Sequence, residues 1–356
     1  MQQPANFIGK VFRHGDADYE AARRATCRNI NLPERYPDII VQATNEKDVV
    51  AAVRLANANN WVIGVRSGGH SWSCNHVRDG GMLLDVSRLD AVTIDPHDMR
   101  ATVGPGCRGN QVNDLLAARK LFFPIGHCQG VGLGGFLLQG GFGWHSRALG
   151  MACENVLAID YVGADGELRH ANRSENAEAY WAARDAGPGF FGVVTRFHLK
   201  LYRRPKVIGA QLAFYTADHL GEIVRWAHRV GPHVPLSIEL MFMVSRSIPF
   251  IDGPGVMVVA PVLADSIFRS MEGPGIHEGA AAGRQALHAL HPDAALDADR
   301  ARHASLSGQL LLRGRQYVDA RIAGRPSPWT RARPRKTPAG TVAHSVDELG
   351  AATTTA

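Results

Sequence analysis

The sequence predicts an α+β protein built as two units, and three observations carry that expectation. Two glycine-rich segments, Trp61 to Ser71 and Gly126 to Gly143, interrupt the first half of the chain. Apolar runs of strand length alternate there with a few helical periodicities, a mixture that fits sheets flanked by helices. The segment Arg203-Arg204-Pro205 then separates this region from a second set of strands and one helix. With 356 residues and 45% hydrophobic content, the chain can bury a sizeable core, and its length favours two domains over one.

Taken in order, Asn45 can cap a helix whose apolar positions Val49, Ala52, Val53 and Ala56 follow helical spacing, with Asp48 at the capping-box position. That helix stops at Asn57 to Asn60. A strand over Trp61 to Val65 feeds directly into Arg66-Ser67-Gly68-Gly69-His70-Ser71, so this loop leaves the end of a strand, where ligands are commonly held. Met82 to Asp85 and Ala101 to Val103 read as strands separated by Asp95-Pro96 and Gly104-Pro105-Gly106 turns. Asn110 to Lys120 reads as a helix that ends before Pro124 and the second glycine segment. Val156 to Val162 and Phe190 to Leu201 are further strands. Beyond the boundary come a strand over Val207 to Tyr215, a helix from about Ala217 to Val230, and strands over Leu236 to Val244 and Gly255 to Val262. After about Asp265 the pattern gives way to Ala-, Arg- and His-rich sequence, expected to be poorly ordered.

Composition narrows the function classes. Between Arg302 and Lys336 nine basic residues face Asp319 alone, a net +8, so the rest of the chain carries −2 of the total of +6. Positive charge confined to a Pro- and Arg-rich stretch is no nucleic-acid footprint. No apolar run approaches the roughly 20 residues that span a bilayer. The polar start Met1-Gln2-Gln3-Pro4 lacks the layout of a signal peptide, so a soluble, cytoplasmic protein without membrane partners is expected. The five cysteines are an odd number, widely spaced and without a Cys-x-x-Cys pair, which argues against a disulfide framework or structural zinc.

Glycine lets backbone approach a bulky anionic ligand, so two such segments in one domain point to a shared phosphate-bearing cofactor. His70 and Cys128 are the nucleophiles they would offer it. Three other readings are weaker. Gly130-x-Gly132-x-x-Gly135, with Asp160 about 25 residues on, matches a dinucleotide fingerprint, but no unbroken strand precedes it. His70, Cys74 and His76, or His127, Cys128 and His145, lack zinc-site spacing, so no metal is expected. A Cys128–His127 hydrolase pair has adjacent side chains and no third orienting residue.

Arg66-Ser67-Gly68-Gly69-His70-Ser71 and Gly126-His127-Cys128-Gln129-Gly130-Val131-Gly132-Leu133-Gly134-Gly135 closely resemble the berberine-bridge-enzyme-like branch of the vanillyl-alcohol oxidase superfamily. The likeness extends through Leu84 to Leu89, Ala101 to Gly106, and Tyr180 to Thr195, and covers about residues 15 to 265. It implies a two-subdomain p-cresol-methylhydroxylase-type FAD-binding domain over 1–205 (core about 33–204), a partial α+β substrate domain over 206–265, and a divergent tail over 266–356. It also implies FAD bound bicovalently, by His70 at the flavin 8α-methyl carbon and by Cys128 at flavin C6. The resemblance assigns Arg66, Ser67, Gly68, Gly69, Ser71, Gly132, Gly134, Gly135, Gly140, Gly141 and Gly143 to the pyrophosphate and flavin, and Gly192, Val193 and Val194 to the adenosine end. Val131, three places after the cysteine, would gate access of oxygen. The implied reaction is flavin-dependent oxidation of a small alcohol, sugar hemiacetal or amine, with oxygen as acceptor.

The chain departs from the family pattern in two places. After about residue 265 it lacks the returning tyrosine- and asparagine-bearing segment, as a shifted reading frame or a divergent protein would, so no catalytic base is named and weak turnover is expected. A flavin dehydrogenase using another acceptor and an inactive flavin-binding remnant are the alternatives. Asp185 stands where the family usually has glycine, and a positive φ there would strain it.

Overall fold

The structure, a computed structural model, describes residues 7–264 with 312–313 and 316–317. The chain divides into two compact units, Met1–Arg204 and Pro205–Ala356.

The first unit opens on a sheet of β1 (Lys10–Arg13), β2 (Ile39–Gln42), β3 (Ile63–Arg66) and β4 (Met82–Asp85), ordered β1-β2-β4-β3. β1 runs antiparallel to β2, whereas β2 and β3 both run parallel to β4. The buried runs Ile39-Ile40-Val41 and Met82-Leu83-Leu84 are what parallel strands covered on both faces require. Helix α1 (Tyr19–Ala25) follows β1, and α2 (Glu46–Ala58) makes the crossover from β2 to β3. The Asn45 side chain caps α2 by accepting from the Asp48 amide. Asp48 does not complete the expected capping box. Its buried carboxylate instead accepts from the amides of Ile8, Gly9 and Thr44 and from the Thr44 hydroxyl, tying the β1 entry to the helix. Burial pushes the Asp48 carboxyl up, but these four donors outweigh it and hold the group below its ordinary value.

The second sheet is antiparallel throughout and has the order β5-β6-β10-β8-β9, from β5 (Val92–Asp95), β6 (Arg100–Val103), β8 (Val156–Val162), β9 (Leu168–Ala171) and β10 (Val193–Lys200). Helices α3 (Gly109–Ala117), α4 (Leu133–Leu138), α5 (Ser146–Leu149) and α6 (Ala177–Ala182) belong to the same region, and β7 (Leu121–Phe122) pairs with β11 (Tyr202–Arg203). One face of this sheet packs Val103, Ile159, Phe197 and Leu199 against Leu116, Phe123, Leu133 and Leu137. Val162 and Val193 join the core of the first sheet instead, which fuses the two layers into one unit.

The second unit contains β12 (Val207–Thr216), α7 (Leu220–Val230), β13 (Met241–Ser245) and β14 (Gly255–Ala264), with β14 central. Ile223 and Trp226 of α7 pack on Ala213, Tyr215, Val256 and Val258. The strand expected from Leu236 starts only at Met241, because Pro235 heads a turn whose carbonyl accepts from the Ile238 amide. A second short pairing joins β15 (Leu312–Arg313) to β16 (Gln316–Tyr317). The other expectations for 266–356 fall outside the described residues. Among those described, no helix is long and apolar enough to cross a membrane.

Candidate functional site

The first glycine segment leaves the C-terminal end of β3, and its base is held by an ion pair. Arg66 and Asp85 are Cα partners at the ends of β3 and β4, and their side chains meet at 2.9 Å with both largely buried. Arg66 also donates to the Thr26 carbonyl, and Asp85 accepts from the Ser87 amide. The Arg66 guanidinium is thus engaged within the protein, where it fixes the base of the loop. Removing one partner of a buried pair strands the other charge, so Asp85→Ala is expected to lower stability by about 3–5 kcal/mol, readable by urea denaturation.

Beyond Arg66 the chain turns at Gly69, whose φ is 71°. A Cβ there would fall on the Thr26 carbonyl oxygen, so position 69 demands glycine for both conformation and space. The Gly69 carbonyl accepts from the Arg28 amide. Among the described residues, the amides of Gly68, Gly69, His70 and Ser71 donate to no protein acceptor, leaving a run of N–H groups of the kind that binds anions. The Ser71 hydroxyl lies exposed, 3.2 Å from that of Ser73.

The second segment closes on itself. The Trp144 amide donates to the Ile125 carbonyl, so the stretch between them forms one loop. The sequence reads it as loop throughout; in the structure Gly134 and Gly135 lie inside α4, a helix hidden from sequence reading by its glycine content. Gly140 and Gly141 have positive φ in the turn after α4, and Gly143 backs onto Ile125. Cys128 is exposed, and the Cys128 carbonyl accepts from the Val131 amide, closing a turn that holds the thiol and Val131 together.

The two segments meet backbone to backbone at Gly68 and Gly132. A Cβ on Gly68 would lie 2.5 Å from the Gly132 nitrogen, and one on Gly132 would lie 2.7 Å from both the Gly68 nitrogen and Ser67 Oγ. The Gly104-Pro105-Gly106 turn brackets them. Pro105 accepts from Ser67 Oγ at 2.6 Å and from the Gly134 amide at 2.9 Å, and the Cys107 carbonyl accepts from the Leu133 amide. Sequence reading treats that turn as punctuation only; its part in the site follows from carbonyls that no side-chain motif announces.

His70 Nε2 contacts the Gly130 carbonyl at 3.1 Å, so one segment's nucleophile rests on the other segment. A carbonyl only accepts, which places the proton on Nε2 and leaves the lone pair on Nδ1. Burial, with the charges of Arg28, Arg108 and Arg66, holds the His70 pKa below its ordinary value despite the Gly130 contact. Arg28 and Arg108, which belong to neither glycine segment, are therefore near enough to favour an anion beside His70. A cradle that a Cβ would fill, uncommitted amides, nearby cations and two nucleophiles fit a flavin dinucleotide.

Gly192, Val193 and Val194, expected at the adenosine end, lie at the start of β10. Val193 and Val194 are both buried in hydrophobic cores and pair with Val162 and Tyr161, so only their backbone is left to meet a ligand. A Cβ on Gly192 would lie 2.6 Å from Cδ2 of the Tyr161 ring. Asp185 is free of the anticipated strain: the positive φ in its stretch belongs to Gly187, at 56°.

No sequence spacing brings together Asp160, His170 and His198, which converge on the face of the second sheet opposite its core. Burial pushes the Asp160 carboxyl up, but hydrogen bonds with His198 and His170 prevail and bring it down to about 2.

Comparison with known proteins agrees with the flavin reading. Residues 37–172 match the family model described as an FAD binding domain. The FAD-linked oxidoreductase nodO of Hypoxylon pulicicidum is 38% identical over 251 residues, 70% of this chain and 55% of that protein. Among solved structures, 6-hydroxy-D-nicotine oxidase from Arthrobacter nicotinovorans superposes with a TM-score of 0.70 at 26% identity, covering 82% of this chain and 60% of that one. A berberine-bridge-enzyme-like protein of Physcomitrella patens, BBE-like 1, gives 0.66 at 25% identity, covering 74% and 56%. The chain spans about half the length of the curated relatives it matches.

Proposed function

We propose that the chain, which carries an FAD binding domain and is similar to FAD-linked oxidoreductases and to a berberine-bridge-enzyme-like protein, is an oxidase of that family carrying FAD on both His70 and Cys128. Its substrate is a small alcohol, sugar hemiacetal or amine oxidised at a C–H bond next to oxygen or nitrogen, and its electron acceptor is molecular oxygen. The reading rests on the meeting of the two glycine segments, which sets the His70 imidazole on the backbone of the loop that carries Cys128. Bound FAD supplies the two-electron redox chemistry.

The protein's own residues bind and orient. The amides of Gly68 to Ser71, with Arg28 and Arg108 beside His70, would hold the cofactor's negative charge. The Nδ1 lone pair of His70 and the exposed thiol of Cys128 would each supply a nucleophile to a bound flavin. Val131, in the turn that carries Cys128, leaves a short side chain where a longer one would narrow the approach of oxygen.

The test is oxygen consumption by flavin-loaded protein across a panel of sugars, alcohols and amines, repeated without oxygen in the presence of an artificial electron acceptor. Turnover only with the artificial acceptor overturns the oxidase assignment. Val131→Leu is expected to slow reoxidation of the reduced enzyme about tenfold, or ~1.4 kcal/mol of added barrier, in stopped flow. An unchanged rate removes Val131 from that role.

A further inference from the structure

Outside the flavin site, the second sheet carries a cluster with ligand chemistry of its own. His170 stands directly opposite Asp160 in the β8–β9 register, and His198 lies diagonal to Asp160 across β10, so the pleat sends all three side chains to one face. His170 Nδ1 is 2.6 Å from Asp160 Oδ1, and His198 Nε2 is 3.2 Å from Asp160 Oδ2. One ligand atom from each of the three lies within 4.8 Å of the others. A tetrahedral zinc ion spaces its ligands about 3.3 Å apart, inside the span from 2.6 Å to 4.8 Å that these atoms cover.

We propose that Asp160, His170 and His198 bind a divalent first-row transition metal ion of the zinc class, with one coordination position left open. Two imidazoles and a carboxylate are a donor set that suits zinc better than calcium or magnesium, which prefer all-oxygen shells. The outer contacts fit as well. His198 turns its other ring nitrogen, Nδ1, to the Thr102 hydroxyl at 3.1 Å, the kind of contact that fixes tautomer and ring orientation in a metal-bound histidine. Beside the cluster a cavity of about 450 Å³ is lined by His170, His198, Tyr180, Arg100 and Arg173, which gives water or a small anion a route to the open position. The nearest competing cation is Arg196, 3.4 Å from Asp160 Oδ2, and its other nitrogen is already paired with Glu46 at 2.7 Å.

Titration of the metal-free, flavin-loaded full chain with zinc chloride by calorimetry, in competition with a chromophoric chelator, tests the site. One zinc per chain is expected. His198→Ala and Asp160→Asn should each weaken binding about tenfold or more; the asparagine keeps hydrogen-bonding capacity but is a poor zinc ligand, which separates coordination from simple hydrogen bonding. If either variant does not fold, Arg196→Gln serves in its place, since removing the neighbouring positive charge should tighten binding. Cobalt substituted for zinc should give the visible absorption of a four-coordinate ion. Absence of stoichiometric zinc binding overturns the site, as does unchanged affinity in the variants that fold.

Discussion

Protein precipitated with acid is expected to stay yellow, His70→Ala and Cys128→Ser are each expected to leave flavin attached through one remaining bond, and the double variant should release all of it. The expectation comes from two nucleophiles in different states. The contact with Gly130 uses the Nε2 proton of His70, so the free lone pair sits on Nδ1, and burial with three nearby arginines holds the ring's pKa below its ordinary value. Cys128 is the exposed cysteine, whereas Cys74, Cys107 and Cys153 are buried and their thiol pKa values are raised chiefly by that burial. Peptide mass mapping of the wild type and the single variants reads the attachment points separately. Complete loss of flavin from denatured wild-type protein would discard the bicovalent assignment.

Gly68→Ala and Gly132→Ala are expected to damage the first unit where its two glycine segments meet. Each places a Cβ within 3 Å of the other segment's backbone, which cannot swing aside as a side-chain tip can. Overpacking of this kind costs about 3 kcal/mol, and in a unit of this size that lowers the midpoint of thermal unfolding by about 6–12 °C. Gly135→Ala is the contrasting change. It lies inside α4 with nothing nearer than 4.0 Å, so alanine should be neutral or stabilise by up to about 1 kcal/mol. Differential scanning calorimetry compares the three, and equal melting points would show that the close approach at Gly68 and Gly132 does not constrain the fold. A Gly135→Ala protein that is stable yet takes up less flavin would place that glycine against the ligand.

Much of this architecture is legible in the sequence where one physical signal dominates. Met82–Asp85 and Val156–Val162 read as strands because their apolar runs are buried, and α2 announces itself through Asn45 and its helical spacing. Elements with mixed signals are lost. α4 is masked by Gly134 and Gly135, and α1 carries two arginines and a glutamate that obscure its buried Tyr19 and Arg23. The loops bearing His70 and Cys128 stand out because glycine density is a local property. Their meeting at Gly68 and Gly132, the Pro105 bracket and the arginines beside His70 are long-range facts that no local window contains. The Asp160 cluster is hidden for the same reason: its spacing of 10 and 38 residues has meaning only once β8, β9 and β10 are in register.

The contact between His70 and Gly130 joins positions 60 residues apart, one on the loop after the mixed first sheet and the other on the segment packed against the antiparallel one. Neither half can assemble it alone. If attachment of the cofactor awaits that contact, each covalent bond is an irreversible mark made after the whole unit has come together. Flavin retained on the denatured chain then becomes a tally of biosynthetic success. The ratio of bound flavin to polypeptide in a cell extract would count the molecules that once reached the native state, including those that later unfolded.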